Sequence, residues 1–186
     1  RGGHGVDGGG WGSGNPWGGD AGGHGGGGGG WNCVLRGVRI RVGGSYRAIE
    51  TLSVGEVLPA RFSGSAAIRK IFSYTLHRDG AGQWPEDTRL VRIGAGALGE
   101  GAPVRDLFVT EAHAVFLDGI LIPIGSLVNG KTISFEDRTG PLDFFHIEFD
   151  LHDVVDAEGA LCESRLDPAM EACAPVMNFN GRRSEV

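Results

Sequence analysis

The segment RDLFVTEAHAVFLDGILIP, residues 105–123, decides the fold class. Within it, an Asp-Gly pair at 118–119 separates two apolar runs, at 114–117 and 120–124. Asp-Gly suits a type I′ turn, in which both central residues need a positive φ. The segment therefore predicts a tight β-hairpin, and the apolar run at 107–110 predicts one more strand just before it.

Short strand patterns continue on both sides of this hairpin. Val38, Ile40 and Val42 alternate with two arginines, which is typical of a half-buried strand. Asn-Gly at 129–130 predicts a second turn of the same type, and only residues 124–128 show a helical period. Many short strands with a turn about every ten residues predict an all-β domain. Further strands are predicted at 46–49, in the second half of 51–58, and at 68–76, 89–93, 132–135, 144–149 and 154–155.

The first thirty residues differ in composition from the rest of the chain. Of the 35 glycines in the 186 residues, 18 lie in positions 1–30 and 17 in the other 156. Such a tract buries too little apolar surface to offset its backbone entropy, so we predict a disordered, flexible linker over residues 1–31. GGHGVD at 2–7 matches the start of a calcium-binding nonapeptide repeat. No second copy follows, so we expect no calcium binding from it.

Charge, hydropathy and cysteine content exclude several functions. The net charge of −6 and the pI near 5.5 argue against nucleic-acid binding, which needs a basic face. No run of about 18 apolar residues exists, so no membrane span is predicted. Three cysteines, Cys33, Cys162 and Cys173, are too few and too widely spaced for a disulfide scaffold or a zinc site. We therefore expect neither a metal ion nor another cofactor.

Cys33 lies where the glycine tract meets the first strand. In a strained turn its thiol can reach the carbonyl of Asn32, which permits an N-to-S acyl shift that converts the amide between them into a thioester. The reaction needs an activated thiol, a stabilised carbonyl oxygen and a proton for the leaving nitrogen. Thr110 and His113, three residues apart, offer a hydroxyl and an imidazole for the last two tasks. A T-x-x-H pattern alone is a common chance match.

Together with these residues, six stretches of the chain resemble the Hint (hedgehog/intein) self-processing domain, most closely its bacterial hedgehog-type members in large secreted or surface proteins. The resemblance implies a horseshoe-like, all-β fold of many short strands over residues 32–165, followed by a short tail at 166–186. It also implies a bacterial protein that is secreted or held at the cell surface. The stretches, in family order, are CVLRGVRIRV (33–42), AIETLSVGE (48–56), VRIGAGALGEG (91–101), RDLFVTEAHAVFLDGILIP (105–123), LVNGKTI (127–133) and FHIEFDLHDVVDAEG (145–159).

The resemblance also implies roles for individual residues. Cys33 matches the nucleophile that opens such domains, and Asn32 carries the carbonyl of the scissile bond. His113 matches the histidine that contacts the amide nitrogen of that bond, and Thr110 matches the hydroxyl that helps to orient it. Without the resemblance, Cys33 reads as an inert thiol, Thr110 as a turn hydroxyl and His113 as a structural loop histidine.

His146 and His152 fall in the late block, where the family keeps an Asp, Cys or His near the site. The spacing leaves open which of the two points inward, and both are also compatible with structural roles. Strict alternation puts His146, Glu148 and Asp150 on one face of a strand, and His152 keeps that parity if the strand continues. We therefore predict His146, His152 or Asp150 as the general base of a later step.

The end of the domain departs from the inteins, which finish with His-Asn. Residues 160–163 read ALCE, and no His-Asn pair occurs in the chain. Asparagine cyclisation, and with it splicing, is therefore not expected, and Cys162 is predicted to be a buried strand thiol. The polar tail is too short for a sterol-binding region, which leaves water, a thiol or an amine to resolve the thioester. The substrate is the domain's own N-terminal flanking segment.

Three functions stay open at this point. The first is a self-cleaving domain that cuts before Cys33. The second is a catalytically inactive Hint fold that serves as a structural or interaction module of a secreted or calcium-binding surface protein. The third is a calcium-dependent adhesin or toxin fragment, in which the glycine tract is the functional part. The chain begins with Arg1 and shows no signal-peptide pattern, so we expect it to be a piece of a longer protein.

Overall fold

Residues 32–85 and 88–165 are described in the computed structural model. The predicted linker at 1–31, with its calcium-repeat match, and the predicted tail at 166–186 lie outside these ranges. Cys173 lies outside them too, so what the sequence predicts for these segments stays a prediction.

Short β-strands dominate the described ranges. Two 3-10 helices, Ile49–Thr51 and Ile124–Leu127, interrupt them. The predicted all-β fold class is confirmed. The strands are β1 Val34–Leu35, β2 Arg39–Val42, β3 Ser45–Ala48, β4 Val57–Ala60, β5 Gly64–Ala67, β6 Lys70–Leu76, β7 Leu90–Ile93, β8 Leu107–Thr110, β9 Ala114–Leu117, β10 Ile120–Pro123, β11 Ile133–Phe135, β12 Leu142–Glu148, β13 Val154–Ala157 and β14 Ala160–Glu163.

These strands form two six-stranded sheets and one small hairpin. The order is β11-β7-β8-β1-β12-β6 in the first sheet and β10-β9-β14-β13-β2-β3 in the second, while β4 pairs with β5 alone. Every pair of neighbours is antiparallel. Apolar side chains from both large sheets join in one core cluster, so the sheets pack against each other.

The β9–β10 hairpin has the predicted turn. Leu117 pairs with Ile120, and the two residues between them, Asp118 and Gly119, have φ angles of 49° and 89°. Both central residues are therefore in the left-handed region that a type I′ turn requires, and this prediction is confirmed.

The second turn differs from its prediction. Gly130 has a φ of 71°, but Asn129 is not in the left-handed region, so residues 129–130 do not form a type I′ turn. Instead, the side-chain oxygen of Asn129 accepts the backbone N–H groups of Lys131, Thr132 and Ile133 at 2.9, 3.0 and 3.1 Å. Asn side chains compete with backbone acceptors in this way, and the local bonds replace the hairpin.

A strand and a 3-10 helix also differ from the sequence prediction. β5, with the sequence GSAA, lacks both alternation and branched residues, and it becomes a strand through its pairing with β4. Ile49, predicted as the end of a strand, begins a 3-10 helix, and its N–H donates to the carbonyl of Val38 at 2.8 Å.

Candidate active site

The centre of the first sheet brings the predicted site residues together. β1 lies between β8 and β12, and both pairs are antiparallel. Extending the register by one residue from Val34 places Cys33 opposite Thr110 on β8 and His146 on β12. Asn32, half-buried, directly precedes this position. Residues that are far apart in the sequence thus meet around one peptide bond.

Thr110 holds the backbone of Cys33 at two points. The N–H of Cys33 donates to Oγ1 of Thr110 at 2.9 Å, and the N–H of Thr110 donates to the carbonyl of Cys33 at 2.9 Å. Both residues are buried. The nitrogen of Cys33 is the leaving atom of an acyl shift, so the hydroxyl oxygen of Thr110 contacts that atom. The resemblance implied that this hydroxyl helps to orient the scissile amide, and the hydrogen bond is consistent with that; the contact of His113 with the same nitrogen stays a prediction.

His113 and His146 face each other in the interior. Their ring centroids lie 5.5 Å apart at an interplanar angle of 51°, and the two residues are 1% and 4% exposed. The N–H of His113 donates to the carbonyl of Thr110 at 3.0 Å, which turns the chain between β8 and β9. Burial, together with the neighbouring His113, holds the pKa of His146 well below its ordinary value. His146 is therefore neutral at pH 7.

The thiol of Cys33 is desolvated. Burial raises the pKa of this thiol to about 12, and the positive charge of Arg165 opposes the shift. At pH 7 the thiol therefore keeps its proton, and the nucleophile must lose it as it attacks, because the thiolate is the reactive form.

Arg165 is a residue that the sequence analysis missed. Its N–H donates to the carbonyl of Ile147 at 2.7 Å, its guanidinium lies 4.2 Å from the ring centroid of Phe72, and it pairs with Glu148 at 3.4 Å. A parallel β-bridge between Arg165 and Glu148 holds Arg165 at the end of β12. No local pattern in the sequence signals such a bridge, because it joins the chain after β14 to the end of β12.

Glu163 is the second residue that the sequence analysis missed. One of its carboxylate oxygens accepts the N–H of Ala114 at 2.8 Å, and the other lies 3.6 Å from Nε2 of His152. The side chains of Glu163 and His152 are 2% and 10% exposed. The available signal was an acid in the otherwise uncharged strand ALCE, since a buried carboxylate requires partners.

The alternation predicted along β12 ends earlier than expected. β12 stops at Glu148, and Asp150 is exposed in the bend that follows. Glu148 is buried and also pairs with Arg69 at 3.6 Å. The structure thus brings His146 and His152 into the buried cluster and leaves Asp150 outside it.

The cysteines that the structure describes, Cys33 and Cys162, are buried and free of disulfide bonds. Cys162 lies on β14, as predicted, and burial raises its pKa above the usual range of a thiol. In residues 32–85 and 88–165, no group of three or more His, Cys, Asp or Glu side chains is arranged to hold a metal ion. Within the same part of the chain, no helix has the length and apolar character to cross a membrane.

Comparisons of the chain and of its fold with known proteins agree on one kind of domain. A family model described as a Hint domain matches residues 32–169. A bacterial intein-like domain from Clostridium thermocellum aligns with a TM-score of 0.52 at 12% identity, covering 72% of this chain and 99% of that chain. A DnaB intein from Synechocystis sp. PCC 6803 aligns with a TM-score of 0.50 at 14% identity, again over 72% of this chain and 99% of the other. At these identities the structural likeness shows the fold alone. A comparison with curated protein sequences gives no match.

Proposed function

Because this chain belongs to the Hint domain family, we propose that it is a self-cleaving domain that cuts the peptide bond between Asn32 and Cys33. One observation carries the proposal: Oγ1 of Thr110 accepts the N–H of Cys33 at 2.9 Å, at the nitrogen of that bond. Two buried histidines lie beside the same position. If this strand end had only a structural role, so many polar groups around one buried amide would not be required.

The first step of the proposed reaction is an N-to-S acyl shift. Sγ of Cys33 attacks the carbonyl carbon of Asn32, and the proton that the thiol gives up replaces the one that the leaving nitrogen takes up. The C–N bond then breaks, the nitrogen of Cys33 takes up a proton and becomes a free amine, and the carbonyl carbon stays bound to sulfur as a thioester. No oxidant or reductant is consumed, because the step exchanges one acyl bond for another.

Thr110 and His113 divide the work on the leaving nitrogen. The hydroxyl oxygen of Thr110 fixes the N–H and so orients the scissile amide. His113, held one tight turn further along the chain, supplies the proton that the departing amine needs. The desolvated thiol makes this step slow unless its proton is removed at the same time, since burial raises its pKa to about 12.

The second step resolves the thioester by an external nucleophile. Water, a small thiol or an amine adds to the thioester carbonyl, the sulfur of Cys33 leaves, and residues 1–32 are released as an acid or an adduct. His146 or His152 takes the proton of the nucleophile, and their burial in one cluster supports this role better than the exposed position of Asp150. β14 ends in Cys162 and Glu163 rather than in His-Asn, so the step includes no asparagine cyclisation.

An inactive fold is the second candidate, and the burial of the thiol favours it. A nucleophile with a pKa of about 12 is almost entirely protonated at neutral pH, which suits a domain kept for its structure or its interactions. In either case, the proposed setting is a bacterial protein that is secreted or held at the cell surface, and it rests on the family resemblance.

Mass spectrometry of the purified chain tests the proposal. Incubation with hydroxylamine or dithiothreitol, which attack a thioester but not an amide, is expected to release residues 1–32 as a defined adduct. Cys33→Ala is expected to abolish the release, because no other nucleophile adjoins the carbonyl of Asn32. Ser53→Ala, which removes an exposed hydroxyl, is the control and should cleave like the parent. Equal cleavage in the parent and in Cys33→Ala would exclude the mechanism, and a product that joins residue 32 to the tail would indicate splicing.

A further inference from the structure

A small cavity lies beside the paired histidines. Its walls come from both six-stranded sheets, and the volume open to the centre of a water molecule is about 10 Å³. That is close to the minimum that holds one water molecule. The wall is largely apolar, and its polar side chains are His113, His146, Cys162 and Glu163.

One polar atom of this wall has no hydrogen bond within the described part of the chain. Nε2 of His146 is buried and has no partner among residues 32–85 and 88–165. Buried polar atoms are as a rule satisfied by protein or by ordered water. A cavity holds such a water molecule when it is large enough and offers the water polar partners, whereas cavities lined only by apolar groups stay dry. The water-sized space can therefore hold the hydrogen-bond partner that Nε2 of His146 lacks.

Glu163 supplies the second partner that a water molecule needs. Glu163 lines the same cavity, and its carboxylate accepts the N–H of Ala114 at 2.8 Å. A carboxylate has about four acceptor positions, so it can accept a water molecule in addition to its contacts with Ala114 and His152. The negative charge of Glu163 also acts on His146, since it raises the imidazole pKa that burial and His113 lower. The two side chains are thus electrostatically coupled across a small space.

We infer that this cavity binds one water molecule, which links Nε2 of His146 to the carboxylate of Glu163, and that Glu163 acts through this water as a positioning residue. The water donates one hydrogen bond to the carboxylate and makes a second with the imidazole, and so fixes the ring of His146 opposite Cys33. The positioning role rests on the proposed self-cleavage, whereas the water site does not depend on it.

A crystal structure of the full chain with Cys33→Ala tests the water site. This variant cannot form the thioester, and the substitution removes only one sulfur atom. We expect one ordered water within about 3.2 Å of Nε2 of His146 and of an oxygen of Glu163. A dry cavity, or a direct contact between the imidazole and the carboxylate, would overturn the inference.

Glu163→Gln in the cleaving chain tests the positioning role. Glutamine keeps the size and an acceptor for Ala114 but loses the charge. We expect cleavage to slow about tenfold or more, the scale on which an orienting partner acts. The NMR titration of the His146 imidazole should move to lower pH, because a negative charge is lost. Asp137→Asn, which removes a carboxylate whose side chain is 83% exposed, is the matched control and should stay within about twofold of the parent.

The outcomes separate this inference from the proposed function. A parental rate with an unchanged His146 titration in Glu163→Gln would overturn the positioning role, even if Cys33→Ala remained inactive. Glu163→Asp, which keeps the charge, is expected to recover part of the lost rate, and a failure to do so would contradict a role for the charge. If no chain cleaved, the proposed function would fail, while the crystal structure of Cys33→Ala would still decide the water site. That structure also decides it if Glu163→Gln unfolds.

Discussion

Thr110→Val removes the one hydrogen bond that the structure gives to the scissile amide nitrogen. Valine has nearly the same shape as threonine, and Thr110 is fully buried, so the change replaces Oγ1 by a methyl group. The N–H of Cys33, 2.9 Å from Oγ1, is then left buried without this acceptor. An orphaned buried donor costs about 1–3 kcal/mol, so we expect the free energy of unfolding to fall by that amount. The orientation of the amide is lost as well, and cleavage should slow by about 10–100-fold.

Two assays read these effects separately. Urea unfolding of Thr110→Val is carried out in the Cys33→Ala background, so that cleavage does not interfere, and it should show a lower midpoint at an unchanged slope. Hydroxylamine-dependent release of residues 1–32, followed by mass spectrometry, gives the rate. Thr139→Val, at an exposed threonine, is the matched control and should change stability by less than about 0.5 kcal/mol. If Thr110→Val unfolded like this control and cleaved like the parent, the hydroxyl would have no role at the scissile amide.

Two further predictions follow from the buried groups. His113→Ala should slow thioester formation, measured with hydroxylamine, by about 100-fold or more. His77→Ala, at an exposed histidine, is the control and should have no effect. A change of less than about threefold in His113→Ala would show that this residue is structural. Burial raises the pKa of the Cys162 thiol, so this thiol ionises at a lower pH in the unfolded chain than in the folded one. The contribution of the buried thiol to the free energy of unfolding is therefore complete below about pH 9 and is lost as the pH rises further. In the Cys33→Ala background, unfolding curves should therefore show a loss of about 1.4 kcal/mol per pH unit above pH 9 that disappears when Cys162→Ala is added; identical curves would contradict the burial of this thiol.

The fold was predictable from the sequence wherever local chemistry determines the backbone. Asp118-Gly119 required positive φ angles at two successive residues, and the apolar runs on either side allowed only a hairpin. The Asn129-Gly130 pair contains the same kind of signal, yet the Asn129 side chain bonds three following N–H groups and forms another turn. β5 carried no signal, because its pairing with β4 alone makes it a strand.

The candidate site was predictable to the extent that it depends on strand pairing near one cysteine. Cys33, Thr110 and His146 meet because β1 lies between β8 and β12. The family resemblance implied that these residues share a site, but neither the resemblance nor the spacing predicted this strand order. Asp150 was expected on the same face, but β12 ends two residues before it. Alternation gives the face of a residue only while the strand continues, and the end of a strand is set by its partners.

The partners of Arg165 and Glu163 could not be predicted from the sequence for a different reason. Each of them contacts a residue that is distant in the sequence. Arg165 pairs with the end of β12 through a parallel bridge, and Glu163 contacts the first residue of β9. Buried charged groups need partners, and partners that are distant in the sequence become visible only in the folded chain.

The burial of the Cys33 thiol affects how reactive the proposed nucleophile is. Because burial raises the pKa of the Cys33 thiol to about 12, this thiol is almost entirely protonated at pH 7, and in the proposed reaction it must lose its proton to act as a nucleophile. Arg165 is the group that opposes this shift, and it is held by Glu148 and by the carbonyl of Ile147. Any change that strengthens the field of Arg165 at the sulfur raises the thiolate fraction tenfold for each unit by which the pKa falls. The reactivity of the nucleophile therefore depends on the segment that directly follows β14, at the opposite end of the domain sequence from Cys33.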